Sequence, residues 1–231
     1  MKVLSKITSY FSKFELSLWG SSITLILISF LAFDRENYLT LIASLIGATS
    51  LIFGAKGNPI SQALMIVFSV LYGIISYSFR YYGEMITYLG MTLPMAILSL
   101  ISWLKNPHKG NKVEVQTNSI SKFEMVIALI VTVIVTVGFY FILKYFNTAN
   151  LLTSTLSVTT SFLAAYLTMR RSPYFCFVYA LNDGVLIVLW VLATIQNLAY
   201  MSVIVCFVVF FVNDLYAFIS WKKMQDRQNE R

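Results

Sequence analysis

The sequence has little charge, one histidine, two cysteines and four prolines. Of its 231 residues, 12% are charged and 58% are apolar, whereas soluble domains are about a quarter charged and about half apolar. His108 is the only histidine, so a zinc site, a haem pair or a histidine-based triad is not expected. Cys176 and Cys206 both lie in apolar runs, which argues against a disulfide framework. We predict neither a metal, nor a cofactor, nor an enzyme.

The apolar residues are concentrated in long runs without charge. A helix needs about 20 mostly apolar residues to cross a bilayer, and eight segments meet that need. The sequence therefore predicts an all-α integral membrane protein with eight transmembrane helices. A basic, amphipathic N-terminal segment precedes them and is expected to be retained rather than cleaved. The predicted spans are roughly 17–34, 38–55, 60–79, 84–104, 123–146, 150–169, 173–196 and 199–221.

Basic residues mark one side of this predicted topology. If the N-terminus is cytoplasmic, fourteen of the 17 lysines and arginines fall in inner segments, and only Arg35, Arg80 and Lys144 fall in outer loops. Such a bias over short loops is the positive-inside signal. It predicts that both termini are cytoplasmic, and it explains the net charge of +7 without nucleic acid as a partner.

The two halves of the chain resemble each other. Each half contains four predicted spans, so the repeats would run parallel, related by an axis along the membrane normal. Parallel repeats occur among transporters, whose substrate sites lie near the midplane at the repeat interface. Chance similarity between apolar helices is the alternative. The recurring motifs are SKFE at 12–15 and 121–124, GNP and RSP at 57–59 and 171–173, and LISWLK and FISWKK at 100–105 and 218–223.

Polar side chains at membrane depth are costly unless they face water or a partner, so they are candidates for function. Asp183 lies near the middle of the seventh span, in one helical stripe with Tyr179 and Trp190. Asn182 lies beside it, rotated by about 100°. We predict that these four residues contact a ligand; the alternative is a hydrogen bond between helices.

The last span carries a second polar group. Asn213 and Tyr216 are three residues apart, so they share one helix face and are further candidates for binding. Asp214 lies nearer the cytoplasmic end, where it either joins the site or pairs with Lys222 or Lys223.

The first half adds Gln62 in the third span and Tyr88 in the fourth, where Pro94 predicts a kink. Trp103 and Trp221 lie at corresponding cytoplasmic boundaries, where they are either interfacial belt residues or contacts to the ligand. We assign them, with Pro94, to a gate or boundary of the site. Amides, hydroxyls, aromatic rings and acids together suit a small polar ligand with a flat ring.

Several segments resemble the PnuC family of bacterial nicotinamide riboside transporters, over nearly the whole chain. The family pattern has an acidic, tyrosine-flanked entry to the fourth helix and a closing aromatic-Trp-Lys motif. Its second half has a Thr/Ser-rich sixth helix that ends in Arg-Arg. The matching segments are GEMITYLGMTLPMAILSLISWLK (83–105), STLSVTTSFLAAYLTMRR (154–171), NDGVLIVLW (182–190) and VNDLYAFISWKK (212–223).

The resemblance implies a full-length SWEET-like fold in the bacterial inner membrane. It also implies facilitated diffusion of the ligand, which a cytoplasmic kinase traps by phosphorylation, and it suggests a homotrimer. The parts it implies are an N-terminal segment with an extra helix (1–37), a first three-helix bundle (38–104), a cytoplasmic loop (105–122), a linker helix (123–147), a second three-helix bundle (148–221) and a cytoplasmic tail (222–231).

The family's ligand-facing asparagine and tryptophan fall on Asn182 and Trp190, and its last-helix polar residues on Asn213 and Tyr216. The sequence departs from the family at Ala96, where an amide is usual, and at Asp183. These departures bear on the ligand more than on the fold. We therefore predict uptake of a nucleoside-like vitamin precursor, nicotinamide riboside first. Other (deoxy)ribonucleosides, thiamine or riboflavin are the alternatives, and a membrane enzyme or an assembly protein is a remote one.

Overall fold

Eight helices of the computed structural model are long and apolar enough to cross a membrane, among the residues that the structure describes, 10–78, 82–195 and 198–230. This confirms the predicted all-helical membrane architecture. The first helix begins four residues before its predicted start, and the last one runs eight residues beyond its predicted end. The helices are α1 (Lys13–Phe33), α2 (Tyr38–Ala55), α3 (Ile60–Ser78), α4 (Tyr82–Lys105), α5 (Lys122–Tyr145), α6 (Leu151–Met169), α7 (Tyr174–Thr194) and α8 (Met201–Asn229).

Six of these helices form a closed ring. Around the ring, α2 packs on α3, α3 on α4, α4 on α6, α6 on α7, α7 on α8, and α8 again on α2. The other two lie outside it in equivalent places: α1 packs on α2 and α8, and α5 packs on α6 and on the first turn of α4. The division into two three-helix bundles joined by a linker helix stays a prediction.

Equivalent contacts in the two halves support the internal repeat. The side chain of Ser12 accepts the N–H of Glu15 at 3.2 Å, and the side chain of Ser121 accepts the N–H of Glu124 at 3.1 Å. Each SKFE motif therefore caps the helix that it opens. Each capping-motif glutamate then pairs with the basic residue that ends the neighbouring helix: Glu15 with Lys56 at 3.5 Å, and Glu124 with Arg170. The hydrogen bond to Glu124 raises the pKa of the Arg170 guanidinium.

The turns after α2 and α6 are also equivalent. Gly57 and Arg171 both have positive φ, 64° and 60°, and each is followed two residues later by the proline that opens the next helix. A positive φ suits glycine and is unfavourable for arginine. Burial and the neighbouring Arg170 lower the pKa of Arg171.

The segment between the halves contains a small β-hairpin that the sequence did not predict. Strands β1 (Pro107–His108) and β2 (Asn111–Val115) pair antiparallel, and Lys109 and Gly110 form the turn with φ of 48° and 78°. Two positive φ values in a two-residue turn match the right-handed twist of a hairpin. Beyond the hairpin, the chain crosses the end of the ring. We name this end, with the two turns and the C-terminus of α8, the hairpin end.

Helix α4 is interrupted by a π-helical segment, Thr87–Thr92, between α-helical parts Tyr82–Ile86 and Leu93–Lys105. Within it the N–H of Leu93 bonds the carbonyl of Tyr88, five residues earlier. Pro94 follows directly; it has no N–H, and its ring excludes the carbonyl four residues before it. The expected irregularity at Pro94 is therefore present as a wider helical turn rather than as a simple bend.

Candidate functional site

A cavity of about 160 Å³ lies inside the ring, with walls from all six ring helices. Its lining combines hydroxyls, amides, carboxyls and aromatic rings. Six of the eight residues predicted to bind a ligand line it: Gln62, Tyr88, Tyr179, Asn182, Asp183 and Trp190. The tertiary structure thus brings together residues from α3, α4 and α7 that are more than a hundred positions apart in the chain.

Asn182 is oriented by the serine- and threonine-rich face of α6. Its Oδ1 accepts hydrogen bonds from Thr160 Oγ1 at 2.8 Å and from Ser161 Oγ at 3.0 Å. These two hydroxyls determine which end of the amide is the acceptor, so the nitrogen end is the one that presents donors elsewhere. The Thr/Ser-rich motif of the sixth span therefore has a definite role, which is to orient the amide on α7.

Asp183 and Asp214 form a buried pair of carboxyl groups on the cavity wall. Each residue is 4% exposed, and the two side chains lie within hydrogen-bonding distance of each other. Asp183 Oδ2 has no hydrogen-bond partner in the part of the chain that the structure describes. The predicted alternative for Asp214, an ion pair with Lys222 or Lys223, is not formed. Lys222 Nζ instead lies 4.1 Å from the centre of the Tyr174 ring.

Aromatic rings from α4 and α7 line the cavity. Trp190 on α7 packs against Tyr200 with ring centres 5.3 Å apart. Tyr88 on α4 packs against Tyr72 at 5.0 Å and Phe68 at 6.3 Å. Rings of this kind can stack on a flat ligand. Gln62, near the hairpin end, bonds Ser61 Oγ at 3.3 Å.

Asn213 and Tyr216 lie away from the cavity, on the face of α8 that meets α1. The Asn213 amide donates to Ser22 Oγ at 2.9 Å, and the Tyr216 hydroxyl donates to Glu15 Oε1 at 3.0 Å. Because successive helical residues are about 100° apart, the residue between them, Asp214, faces inward instead. Nothing in the sequence indicates that α1 covers this face of α8.

Glu84 and Thr87 line the cavity but were not predicted as binding residues. Glu84 lies just before the π-helical part of α4, and Thr87 is its first residue. A regular α-helix would point the side chains of this part in other directions. Glu84 lies in the first turn of α4, and an acid at a helix start is usually taken as a favourable charge at the helix N-terminus. For this reason, the sequence alone did not indicate that Glu84 lines the cavity.

Trp103 and Trp221 lie at the hairpin end of the ring. Both are fully buried, with ring centres 5.3 Å apart. Trp103 Nε1 on α4 donates to the carbonyl of Thr168 on α6 at 2.9 Å, and Trp221 Nε1 on α8 donates to the carbonyl of Gly54 on α2 at 2.8 Å. Each indole therefore bonds across from one half of the chain to the other. They are not part of an exposed interfacial belt.

No lysine, arginine or histidine lines this cavity among the described residues. The wall instead has three carboxyl groups, from Glu84, Asp183 and Asp214. A ring of membrane-spanning helices around a polar, aromatic cavity defines a membrane transporter for a small molecule.

Comparisons with known proteins identify the transporter family to which this chain belongs. Residues 37–223 match the family model described as nicotinamide mononucleotide transporter, and the chain belongs to this family. A nicotinamide riboside transporter PnuC from Neisseria mucosa is 24% identical over 202 residues, which cover 85% of this chain and 76% of that protein. The crystal structure of a vitamin B3 transporter PnuC matches with a TM-score of 0.80 at 21% identity, over 94% of each chain. The predicted family and fold are confirmed.

Proposed function

We propose that this protein mediates facilitated uptake of nicotinamide riboside across the bacterial cytoplasmic membrane, with cytoplasmic phosphorylation trapping the product. The observation that carries the proposal is the character of the cavity wall. It has aromatic rings for a flat base, amides and hydroxyls for a sugar, and carboxyls where a phosphate-binding site would need basic groups. Nicotinamide riboside is a flat cationic ring on a ribose.

The same wall supports a riboside rather than a mononucleotide as the ligand. A phosphate group adds close to two negative charges at neutral pH. At membrane depth such a group needs arginine, lysine or helix N-termini, because buried charge is costly without a partner. The described cavity wall has carboxyls and no basic side chain, so it favours the unphosphorylated ligand.

Calorimetric binding to the purified protein tests this proposal. The panel is nicotinamide riboside, nicotinamide mononucleotide, neutral ribo- and deoxyribonucleosides, thiamine and riboflavin. We expect micromolar binding of nicotinamide riboside and at least tenfold weaker binding of the mononucleotide. Preference for a neutral nucleoside, thiamine or riboflavin would replace the substrate within the same fold, and no binding across the panel would refute the proposed function.

The orientation in the membrane is part of the proposal. Lys56, Lys105, Lys109, Arg170 and Arg227 all lie at the hairpin end, whereas Arg35 and Lys144 lie at the other. The positive-inside bias supports a cytoplasmic location for the hairpin end. Both native cysteines are buried, so a cysteine placed at Lys109 can be labelled selectively with a membrane-impermeant maleimide. Labelling should occur in inside-out vesicles and not in intact spheroplasts. A cysteine at Asn147, at the opposite end, should show the reverse pattern.

A further inference from the structure

The Asp183–Asp214 pair has a chemical property that family membership does not supply. Two carboxylates repel each other, and they approach to hydrogen-bonding distance only when one proton lies between them. Asp183 and Asp214 are both buried inside the membrane-spanning ring, and their side chains face each other. In the described cavity wall no lysine, arginine or histidine is present to neutralise a second negative charge. In the ligand-free protein, the two carboxyl groups together therefore carry one proton and one negative charge.

A second observation indicates that the pair faces a ligand. Asp183 Oδ2 is buried and has no hydrogen-bond partner among the described residues. It belongs to the same cavity wall as Tyr88, Tyr179 and Trp190. An unpaired carboxyl oxygen among aromatic rings is a favourable place for a cationic ring, which both the negative charge and the ring faces attract.

We propose that Asp183 and Asp214 are the residues that select a cationic ligand, and that binding of the cation displaces the proton they share. Before binding, the pair is one carboxylic acid and one carboxylate; after binding, it is two carboxylates beside one cation. The O–H bond of the acid breaks, and the proton leaves to water. Total charge is conserved, because one positive charge enters the site and one leaves it. This inference rests on the proposed cationic substrate and names the residues that recognise it.

Other titratable groups near the pair do not supply this proton under ordinary conditions. Phenols and thiols in a buried environment stay protonated at neutral pH, with or without a neighbouring cation. Glu84 is the one further carboxyl on the described cavity wall, and it lies nearer the opposite end, in the first turn of α4. The titratable groups that face the pair are Tyr88 from α4, Cys176 and Tyr179 from α7, and Cys206 from α8. The described parts of α2, α3 and α6 contribute no titratable side chain to the cavity wall.

Calorimetry in buffers of different ionisation enthalpy, at the same pH, counts the protons exchanged on binding. For nicotinamide riboside and the unmodified protein we expect about one proton released per ligand, with Kd rising about tenfold for each unit that the pH falls below the range where the pair deprotonates. The reduced, uncharged dihydro form of the same riboside is the matched control ligand. It should bind with no proton release and with a Kd that does not change with pH.

Three variants assign the proton to the pair. Asp183→Asn and Asp214→Asn each keep one carboxyl and the hydrogen bond, so both should bind the cation without proton release and with a flat pH profile. Glu84→Gln removes the third carboxyl of the wall and tests whether Glu84, rather than the pair, is the source of the proton. Thermal unfolding of each variant shows whether it is folded. If a variant does not fold, the number of protons released by the unmodified protein still tests the proposal.

Binding of nicotinamide riboside with no proton release would overturn this inference and leave the proposed function intact. Release that persists in both asparagine variants, or that disappears in Glu84→Gln alone, would also overturn it. Failure of the riboside to bind at all would refute both this inference and the proposed function.

Discussion

At the scale of a single residue, Trp190 is the side chain from which we expect the largest loss of binding energy. It lines the cavity and packs against Tyr200. Stacking of a base on an aromatic side chain contributes about 1–3 kcal/mol when it is removed by alanine substitution. Trp190→Ala should therefore weaken ligand binding about five- to 150-fold in Kd, measured by calorimetry, without unfolding the protein.

The control for this substitution is a second tryptophan outside the cavity. Trp19 on α1 is 37% exposed, and its indole donates to Thr49 Oγ1 at 3.2 Å. It does not line the cavity. Trp19→Ala should leave Kd within about twofold of the unmodified value, as expected for a surface change. An equal loss in both variants would contradict a stacking role for Trp190.

At the scale of helices, the contact between α2 and α8 depends on a glycine. A Cβ added at Gly47 would lie 2.5 Å from Phe210 Cζ and 3.0 Å from Phe68 Cε2. Both rings belong to the buried apolar cluster of the ring, so neither can move without disturbing its neighbours. Gly47→Ala should lower the free energy of unfolding by about 1–3 kcal/mol, seen as a lower melting temperature in detergent.

Gly184 on α7 provides the matched comparison, because a Cβ there would meet no atom within 4 Å. Alanine is favoured over glycine within a helix by about 1 kcal/mol. Gly184→Ala should therefore leave the melting temperature unchanged or raise it. If the two glycine variants melted alike, close approach of α2 and α8 would not explain Gly47.

At the scale of the whole molecule, the inter-repeat segment fastens the two halves at the hairpin end. The N–H of Val115 donates to the carbonyl of Gly57 at 2.9 Å, and the N–H of Asn118 donates to the carbonyl of Arg171 at 3.0 Å. These carbonyls occupy equivalent positions in the turns after α2 and α6. The segment thus links the same position of both repeats, although it occurs once in the chain.

Gln228, in the last turns of α8, anchors this segment. Its Oε1 accepts from the N–H and the hydroxyl of Thr117 at 2.8 and 2.9 Å, and its Nε2 donates to the carbonyl of Val115 at 3.1 Å. Gln228→Ala leaves the buried N–H of Thr117 without this acceptor, at a cost of about 1–3 kcal/mol. We expect a lower melting temperature and faster hydrogen exchange across residues 111–118.

One turn earlier on the same helix, Gln225 makes a single exposed hydrogen bond, to Ser119 Oγ at 3.1 Å. Gln225→Ala should change the free energy of unfolding by less than about 0.5 kcal/mol, as surface substitutions usually do. Unchanged exchange in Gln228→Ala would show that the segment is held by its backbone hydrogen bonds alone.

Sequence reasoning succeeded where the membrane itself imposes the rule. A bilayer requires about 20 apolar residues per span, so eight uninterrupted runs predict eight helices. The SKFE motifs predicted equivalent helix starts, because a serine cap and a glutamate three residues later satisfy local backbone groups. Asp183 and Trp190 are seven residues apart, so helical periodicity alone put them on one face of the helix, and both line the cavity.

The sequence was least informative where a side chain's environment depends on a different helix. Asn213 and Tyr216 share a face, but α1 covers that face, and the inward position belongs to Asp214. In the sequence, Glu84 resembles an ordinary acidic residue at a helix start. In the structure it lines the cavity, beside the π-helical part of α4. The periodicity of one helix does not show which other helix packs against each of its faces.

The sequence alone determined the number of helices, the repeat and the family, because apolar runs, caps and short motifs act within a few residues of one another. Which polar side chains share the cavity depends on packing between helices, since closure of the ring sets the rotation of all six helices together. The tertiary structure also decided that Asp183 and Asp214 lie face to face rather than beside lysines. Packing between helices has no local signal, and the chemistry of that pair arises from packing.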